Sequence, residues 1–378
     1  MIVLSRYKDC LLRLYGNLRG WRTKRKLLII ESDDWGATRI PSKKVYKKLL
    51  GAGVRLDSSP YDRLDCLESR DDFNALMNII ESHRDASGRP AIFTFNTVMG
   101  NPDFGAIESD DFEIYHHQHF FESYHEYNNE DLKSDWRAAI QAGLIQPQFH
   151  AREHLNVPLW MSDLKRNQSE TRLAFSHRFY AQNTCTSSMH QKNYLCAYWA
   201  ETPEAYSETI KIVEDGLQLF EKTFGFRSKT FIGCNYIWPN ALEQYLSKLG
   251  VIQLQTQRGR MQPDPDRDAP PVVRRHYTGQ RNNYGQCYSV RNVMFEPYID
   301  DSIEWSERAL GEINQAFLFN RPAIVCSHRI NYVSGLSQQN RDRSLAQLDT
   351  LLGKVRAKWP EVEFLTSDEL AELLHTAA

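Results

Sequence analysis

The sequence predicts an α/β barrel-like fold with insertions, on three observations. Short apolar runs of strand character alternate with amphipathic helical stretches along the whole chain. No linker rich in Gly, Ser or Pro divides it into halves. The residues best suited to chemistry, an acid pair, a histidine pair and a single histidine, each close a predicted strand. Active sites of α/β folds sit just past the C-terminal ends of their strands.

In chain order, residues 1–26 carry scattered basic side chains, from Arg6 to Lys26, and lack the apolar run of a secretory signal. Leu11, Leu14, Tyr15, Leu18 and Trp21 or Arg22 recur at helical spacing, so this stretch reads as a basic amphipathic helix. Such a helix can lie on an anionic membrane surface, or pack on the barrel with its charges in water. Residues 27–378 then read as one barrel domain. LLIIESDDWG, Leu27 to Gly36, is a buried strand ending in Asp33 and Asp34. A helix runs from Pro41–Ser42 to Leu50, stopped by Gly51 and Gly53. In 71–84, Phe73, Leu76, Met77 and Ile80 trace one helical face, and Asp71 and Asp72 favour its N-terminus. Residues 91–104 give a second strand and loop, 131–144 a helix, and IQPQFHAREH a third strand with its exit loop.

Insertions are expected near 105–130, 160–200 and 258–290. The first is acidic and aromatic, reads as an insertion or lid, and holds His116, His117 and His119, adjacent histidines of the kind more often solvated than metal-binding. Strands are then expected in TFIGCNYIWP, VIQLQTQ, SVRNVMFEP, PAIVCSH and VEFLT, separated by helices, with a short helix at the end.

At 378 residues the chain can bury a large core, and its 41% hydrophobic and 25% charged content is that of a globular protein. A net charge of −2 gives no global field toward nucleic acid, and no RNA-binding signature is present. The seven cysteines are odd in number, irregularly spaced and without a CxxC, which argues against a disulfide framework or a cysteine zinc knot and suits a reducing compartment. No apolar run approaches the roughly 20 residues of a membrane span. A cytoplasmic location, with peripheral membrane contact through residues 1–26 as an option, is the expectation.

Two adjacent carboxylates at a strand end are costly, because like charges so close resist joint ionisation. The cost is relieved if one binds a metal and the other acts as a base; the plain alternative is a helix cap. His150 and His154, at i and i+4, share a face on a helical turn, a spacing suited to two nitrogen ligands. His328 closes PAIVCSH. One Asp and two His leave a position for water, the pattern of a catalytic zinc site. Each group alone has a bland reading; their common placement at strand ends favours one site.

These motifs resemble the polysaccharide deacetylases of the NodB-homology fold, carbohydrate esterase family four. SDD of 32–34 is similar to that family's first motif, HAREH of 150–154 to its H-(S/T)-x-x-H motif, CNYIWP of 234–239 loosely to its RxPY loop, and VCSH of 325–328 to its late histidine strand. The resemblance spans about residues 27–370. It implies a distorted (β/α)7 barrel and a metal-dependent hydrolase that removes an N-acetyl group from an amino sugar of a polysaccharide, oligosaccharide or glycan precursor. It further implies that Asp34, His150 and His154 bind a divalent metal, with Zn2+ the expected ion. Asp33 would take a proton from the attacking water, the backbone N–H of Tyr236 would help hold the oxyanion, and His328 would protonate the departing amine.

The sequence departs from that pattern in two places. Gly233 falls where the family has the arginine that orients the base, leaving Asn235, Arg152 or Arg329 as substitutes, and Ala151 replaces the Ser or Thr of the second motif. Trp35, Tyr236, Trp238 and Tyr332 lie beside the motifs and are candidates for a sugar-stacking platform or for core, and Asn96, Asn101 and Asp103 are candidates to line the cleft. O-deacetylation, hydrolysis of another amide, and a catalytically inactive glycan-binding module are the competing readings. An intracellular enzyme of this kind would meet a sugar nucleotide or lipid-linked precursor more readily than a finished wall polymer.

Overall fold

A computed structural model of the chain describes residues 17–56, 59–182, 194–200, 202–264 and 271–376. Its parallel sheet is built from β1 (Lys26–Trp35), β2 (Phe93–Val98), β3 (Ile145–Ala151), β4 (Thr230–Ile232), β5 (Gln253–Thr256), β6 (Cys287–Val290), β7 (Val293–Met294), β8 (Ala323–His328) and β9 (Val362–Leu365). Hydrogen bonding runs in the order β6-β5-β4-β3-β2-β1-β8-β7, with every pair parallel. One edge of β1 is shared. β9 pairs with Lys26–Ile29 and β2 with the residues beyond, while β8 runs along the other edge over Leu28–Asp33.

The two ends of this path, β6 and β7, are consecutive in the chain and separated only by Arg291 and Asn292. The Arg291 N–H donates to the Thr256 carbonyl of β5, and the Asn292 N–H donates to the Ile324 carbonyl of β8. Successive amides of a strand point to opposite sides. Residues 287–294 are thus one broken strand that joins β5 to β8. It completes a distorted ring of seven strands, the (β/α)7 barrel expected.

The inward face of β1 shows why the site lies at one end. Leu27 and Ile29 pack with Ile324 and with Leu370 and Leu374 of the final helix, Ser367–Thr376, which plugs the base of the barrel. With a period of two, the next residues on that face are Glu31 and Asp33. The interior is apolar below and charged at the mouth. The outward face carries Leu28 and Ile30 into the main core, where Trp35 stacks on Phe95 at 3.7 Å between ring centroids.

The predicted helices form where the sequence places their caps. Ser42 caps Lys43–Gly51, and Ser69 with Asp72 makes a capping box for Arg70–Ser82. The 105–130 stretch folds as Phe104–Ser109, the strand His117–His119 and Phe120–Asn128. The described part of 160–200 contributes Trp160, Phe175, Tyr180 and Tyr194 to a second apolar cluster with Phe104. Within 258–290 lies an antiparallel hairpin, Gly259–Gln262 with Val272–Arg275. Most of the expected N-terminal helix lies outside the described residues. Its end is fastened by Arg321, which donates to the carbonyls of Asn17 and Leu18 at 2.9 and 2.8 Å. Among the described residues no helix is long and apolar enough to cross a membrane.

Candidate active site

Neighbouring residues of a regular strand face opposite sides, yet Asp33 and Asp34 both line one cavity of about 400 Å³ at the barrel mouth. The reason is local. The β1–β2 register slips between Ser32 and Trp35, and Asp34 adopts φ +76°, in the left-handed region. Such a bulge re-aims a side chain, and strain of this kind is held where surrounding structure fixes it. His150, His154 and His328 line the same cavity.

Asp34 Oδ1 lies 3.4 Å from His150 Nε2 and 3.4 Å from His154 Nε2. Metal–ligand bonds of about 2.0–2.1 Å in a tetrahedral site place neighbouring ligand atoms roughly 3.3 Å apart. Among the described residues Asp34 Oδ1 has no hydrogen-bond partner, although Asp34 is only 2% exposed. His150 Nδ1 bonds to the Ile232 carbonyl at 2.9 Å, which fixes the tautomer that presents Nε2 with its lone pair. The donor set therefore fits a divalent cation. Burial holds His154 well below the usual histidine range, in its neutral form. Burial acts the same way on His150, but Cys234 and Asp34 outweigh it and favour a proton there; metal binding releases such a proton. The histidine spacing works differently from a helical turn. His150 is the penultimate residue of β3 and His154 stands in the exit loop, whose bend brings the rings to 5.0 Å between centroids.

Asp33 is held by a residue that sequence reasoning missed. Arg291 donates from Nη1 to Asp33 Oδ2 at 2.7 Å and from Nη2 to Oδ1 at 2.6 Å, while its Nε donates to Glu31 at 2.7 Å. Asn96 adds a 2.7 Å bond to Oδ1. Burial alone would raise the Asp33 pKa, but the guanidinium overrides it and brings the group down to about 2. The three substitutes expected for the missing arginine do other things. Asn235 donates to Cys196, Arg152 to Glu153 and Asp215, and Arg329 to Asp65, Glu68 and the Ala37 carbonyl. Gly233 also explains why its own position carries no arginine. A Cβ there would stand 2.4 Å from the Trp238 ring.

His328 pairs in register with Asp33, and its Nε2 lies 3.5 Å from Asp33 Oδ2. Its Nδ1 meets Glu296 at 2.6 Å, and Asn331 holds the other Glu296 oxygen at 2.8 Å. Burial would lower the His328 pKa; the Glu296 carboxylate reverses that and lifts it to about 9. His328 is thus a protonated imidazolium near neutral pH. Arg39 also lines the cavity, 3.7 Å from Asp34, and among the described residues its Nη1 has no hydrogen-bond partner. In sequence, Arg291 and Glu296 stand out only as charges in and after the otherwise apolar strand run SVRNVMFEP. A charge buried in a strand needs a partner, and that was the available signal.

Several expected residues stand elsewhere. Trp35, Trp238 and Tyr332 have no exposed surface and belong to the core, so they form no stacking platform. Tyr236 does border the cavity, and its hydroxyl accepts from Arg291 at 3.0 Å. Its backbone N–H, however, already donates to the Gly233 carbonyl at 2.8 Å within a tight turn, which removes it as the oxyanion donor. Asn101 ties Thr38 to Ser123, and Asp103 caps the following helix. His116 meets Asp110, His117 lies near Glu153 and Asp215, and His119 caps Phe120–Asn128, so the three do not converge.

No protein-family model matches the chain, and no curated protein is similar to it in sequence. Among solved structures it is similar to a protein assigned as a polysaccharide deacetylase from Mycobacterium smegmatis, at 11% identity over 95% of this chain and 93% of that one, TM-score 0.46. It is similar to the PuuE allantoinase at 10% identity, over 94% and 92% of the two chains, TM-score 0.45. A family 4 acetyl xylan esterase from Clostridium thermocellum, in complex with a cobalt ion, is similar at 10% identity over 92% and 91%, TM-score 0.35. These likenesses are remote, and the roles assigned below rest on the chain's own geometry.

Proposed function

We propose that the protein is a metal-dependent hydrolase that removes an N-acetyl group from an amino sugar in a glycan or glycan precursor. The observation that carries this reading is the joint placement of two units. Asp34 stands 3.4 Å from both histidine Nε2 atoms, and the Asp33–His328 pair faces the same cavity. Asp34, His150 and His154 would hold the divalent ion, with Zn2+ the expected one. That ion would supply Lewis acidity to the acyl carbonyl and make water a usable nucleophile near neutral pH.

The chain's own groups handle the protons. Asp33, fixed by Arg291 and Asn96, accepts one from the attacking water. His328, charged because of Glu296, gives one to the departing amine, which leaves poorly without it. One group has gained a proton and the other has lost one. Transfer across the 3.5 Å between them resets both, and the pKa values of about 2 and about 9 set its direction. A catalytically inactive binding module would have no physical need for two buried, separately supported proton carriers.

Metal analysis of the purified protein, combined with acetate release from a panel of N-acetylated saccharides and sugar nucleotides, tests the reading. About one metal per chain and release from at least one member are expected. His150→Ala should lose the metal; full retention in that variant would sink the ligand assignment. A lipid-linked substrate is the reading to prefer if the full chain sediments with anionic liposomes and a form lacking residues 1–16 does not.

A further inference from the structure

We infer that a second cavity, of about 800 Å³ beside the break in the ring, binds the diphosphate group of the amino-sugar substrate. The inference rests on the deacetylase reading above and narrows its substrate to a sugar carried on a diphosphate ester. Six arginines line this cavity, Arg19, Arg258, Arg275, Arg291, Arg308 and Arg321, and no lysine does. Glu312 is its one carboxylate among the described residues. His276, held neutral by burial with a pKa of about 4, adds no charge. The chain as a whole has a net charge of −2, so the excess of cations is local. The planar guanidinium fork matches phosphate oxygens in pairs, which a lysine cannot do.

Some of these arginines serve the fold. Arg291 holds Asp33 and Glu31, and Arg321 donates to the carbonyls of Asn17, Leu18, Gly20 and Trp21. Arg308 donates to Glu312 at 3.2 Å, and the other Glu312 oxygen accepts from the Met294 N–H at 2.7 Å. Arg19 and Arg275 are exposed and have no ion-pair partner among the described residues. The hairpin register sets Arg275 opposite Gly259, next to Arg258, and Arg321 fastens the segment that carries Arg19. Like charges gathered round a hollow repel one another and focus a field that draws a polyanion. The place of the cavity fits the reaction. Tyr236 lines both this cavity and the catalytic one, and its hydroxyl meets the Arg291 Nη1 that also holds Asp33. A 2-acetamido sugar carries its acetamide and its anomeric diphosphate on neighbouring carbons. Adjacent cavities with one residue in common meet that requirement. Exposed surface of Tyr277 and Met294 in the lining offers apolar contact to the group esterified to the diphosphate, a nucleoside or a prenyl chain.

Calorimetric titration of the full chain with inorganic pyrophosphate tests the site. The native protein should bind it. The double variant Arg19→Ala, Arg275→Ala changes two exposed side chains and should bind at least about tenfold more weakly. Arg227→Ala, at an exposed arginine outside the cavity, should bind as the native chain does. Equal metal content in all three proteins ensures that the difference comes from the arginines. Titration with UDP and with farnesyl diphosphate separates a nucleoside carrier from a prenyl one by which binds more tightly. No pyrophosphate binding by the native protein, or equal binding by the double variant, would overturn the cavity assignment. Acetate release from neutral N-acetylated oligosaccharides would then leave the deacetylase reading standing. Arginine-dependent pyrophosphate binding without acetate release from any sugar would keep the diphosphate site and overturn the deacetylase.

Discussion

Arg291 and Asp33, 258 residues apart, meet through two parallel hydrogen bonds of 2.7 and 2.6 Å. The guanidinium fork and the carboxylate are matched in geometry, and the pair is almost wholly removed from water. Removing one partner of a buried ion pair typically costs about 3–5 kcal/mol, because the other charge is left unpaired. Arg291→Met should therefore lower thermal stability by an amount in that range, measured by denaturant unfolding.

Loss of the fork should also change the pH profile. In the native chain Asp33 titrates near 2, below its ordinary value, so its stabilising contribution is present above about pH 4 and lost only as pH falls through about 2. With the two parallel bonds to Arg291 gone, burial is opposed less and the pKa rises. The acid limb of kcat/KM should move upward by more than one pH unit in Arg291→Lys, which keeps a charge but loses the fork. An unmoved acid limb would show that Arg291 does not govern Asp33.

His328 gives the opposite sign. Its pKa is raised to about 9, so its contribution to stability is complete below about 6.5 and lost as pH climbs through about 9. As the acid, it should hold kcat/KM level to about pH 9, with a fall of about tenfold per unit beyond. Glu296→Gln keeps the shape and removes the charge that opposes burial. The alkaline limb should drop to the ordinary histidine range or below; an unchanged limb would exclude Glu296 as the residue that keeps His328 charged.

Asp33→Asn separates binding from chemistry. The variant should keep about one metal per chain while acetate release falls by at least about a hundredfold, within the range set by general base catalysis. Unchanged turnover would remove Asp33 as the base.

Gly233→Ala tests the support of the site. A Cβ at 2.4 Å from the Trp238 ring cannot be accommodated without movement of the turn or of the buried indole. Overpacking of this kind costs about 1–3 kcal/mol. Unfolding should show that loss; unchanged stability would show that the turn or the indole moves freely.

How much of this was legible in the sequence depended on whether a residue acts along its own strand or across the ring. The strand runs, the helix caps at Ser42 and Ser69, and the strand-end positions of Asp33, His150 and His328 are local, and periodicity with cap chemistry reveals them. The convergence of His150 and His154 was also readable, although a loop rather than a helical turn produces it. Arg291 was not readable. Its partner lies in the first strand, and the ring closes through a break that looks, in sequence, like one continuous strand. The aromatic residues show the converse. Trp35, Trp238 and Tyr332 sit beside the motifs in sequence, yet all three are buried in the main apolar core, which adjacency along the chain does not reveal.

The break at Arg291–Asn292 couples distant parts of the chain. Arg291 is tied through its N–H to β5 and through its guanidinium to Asp33 of β1, while the next residue is tied to β8. The alignment of the Asp33 carboxylate is thus a property of the closed ring and not of the first strand alone.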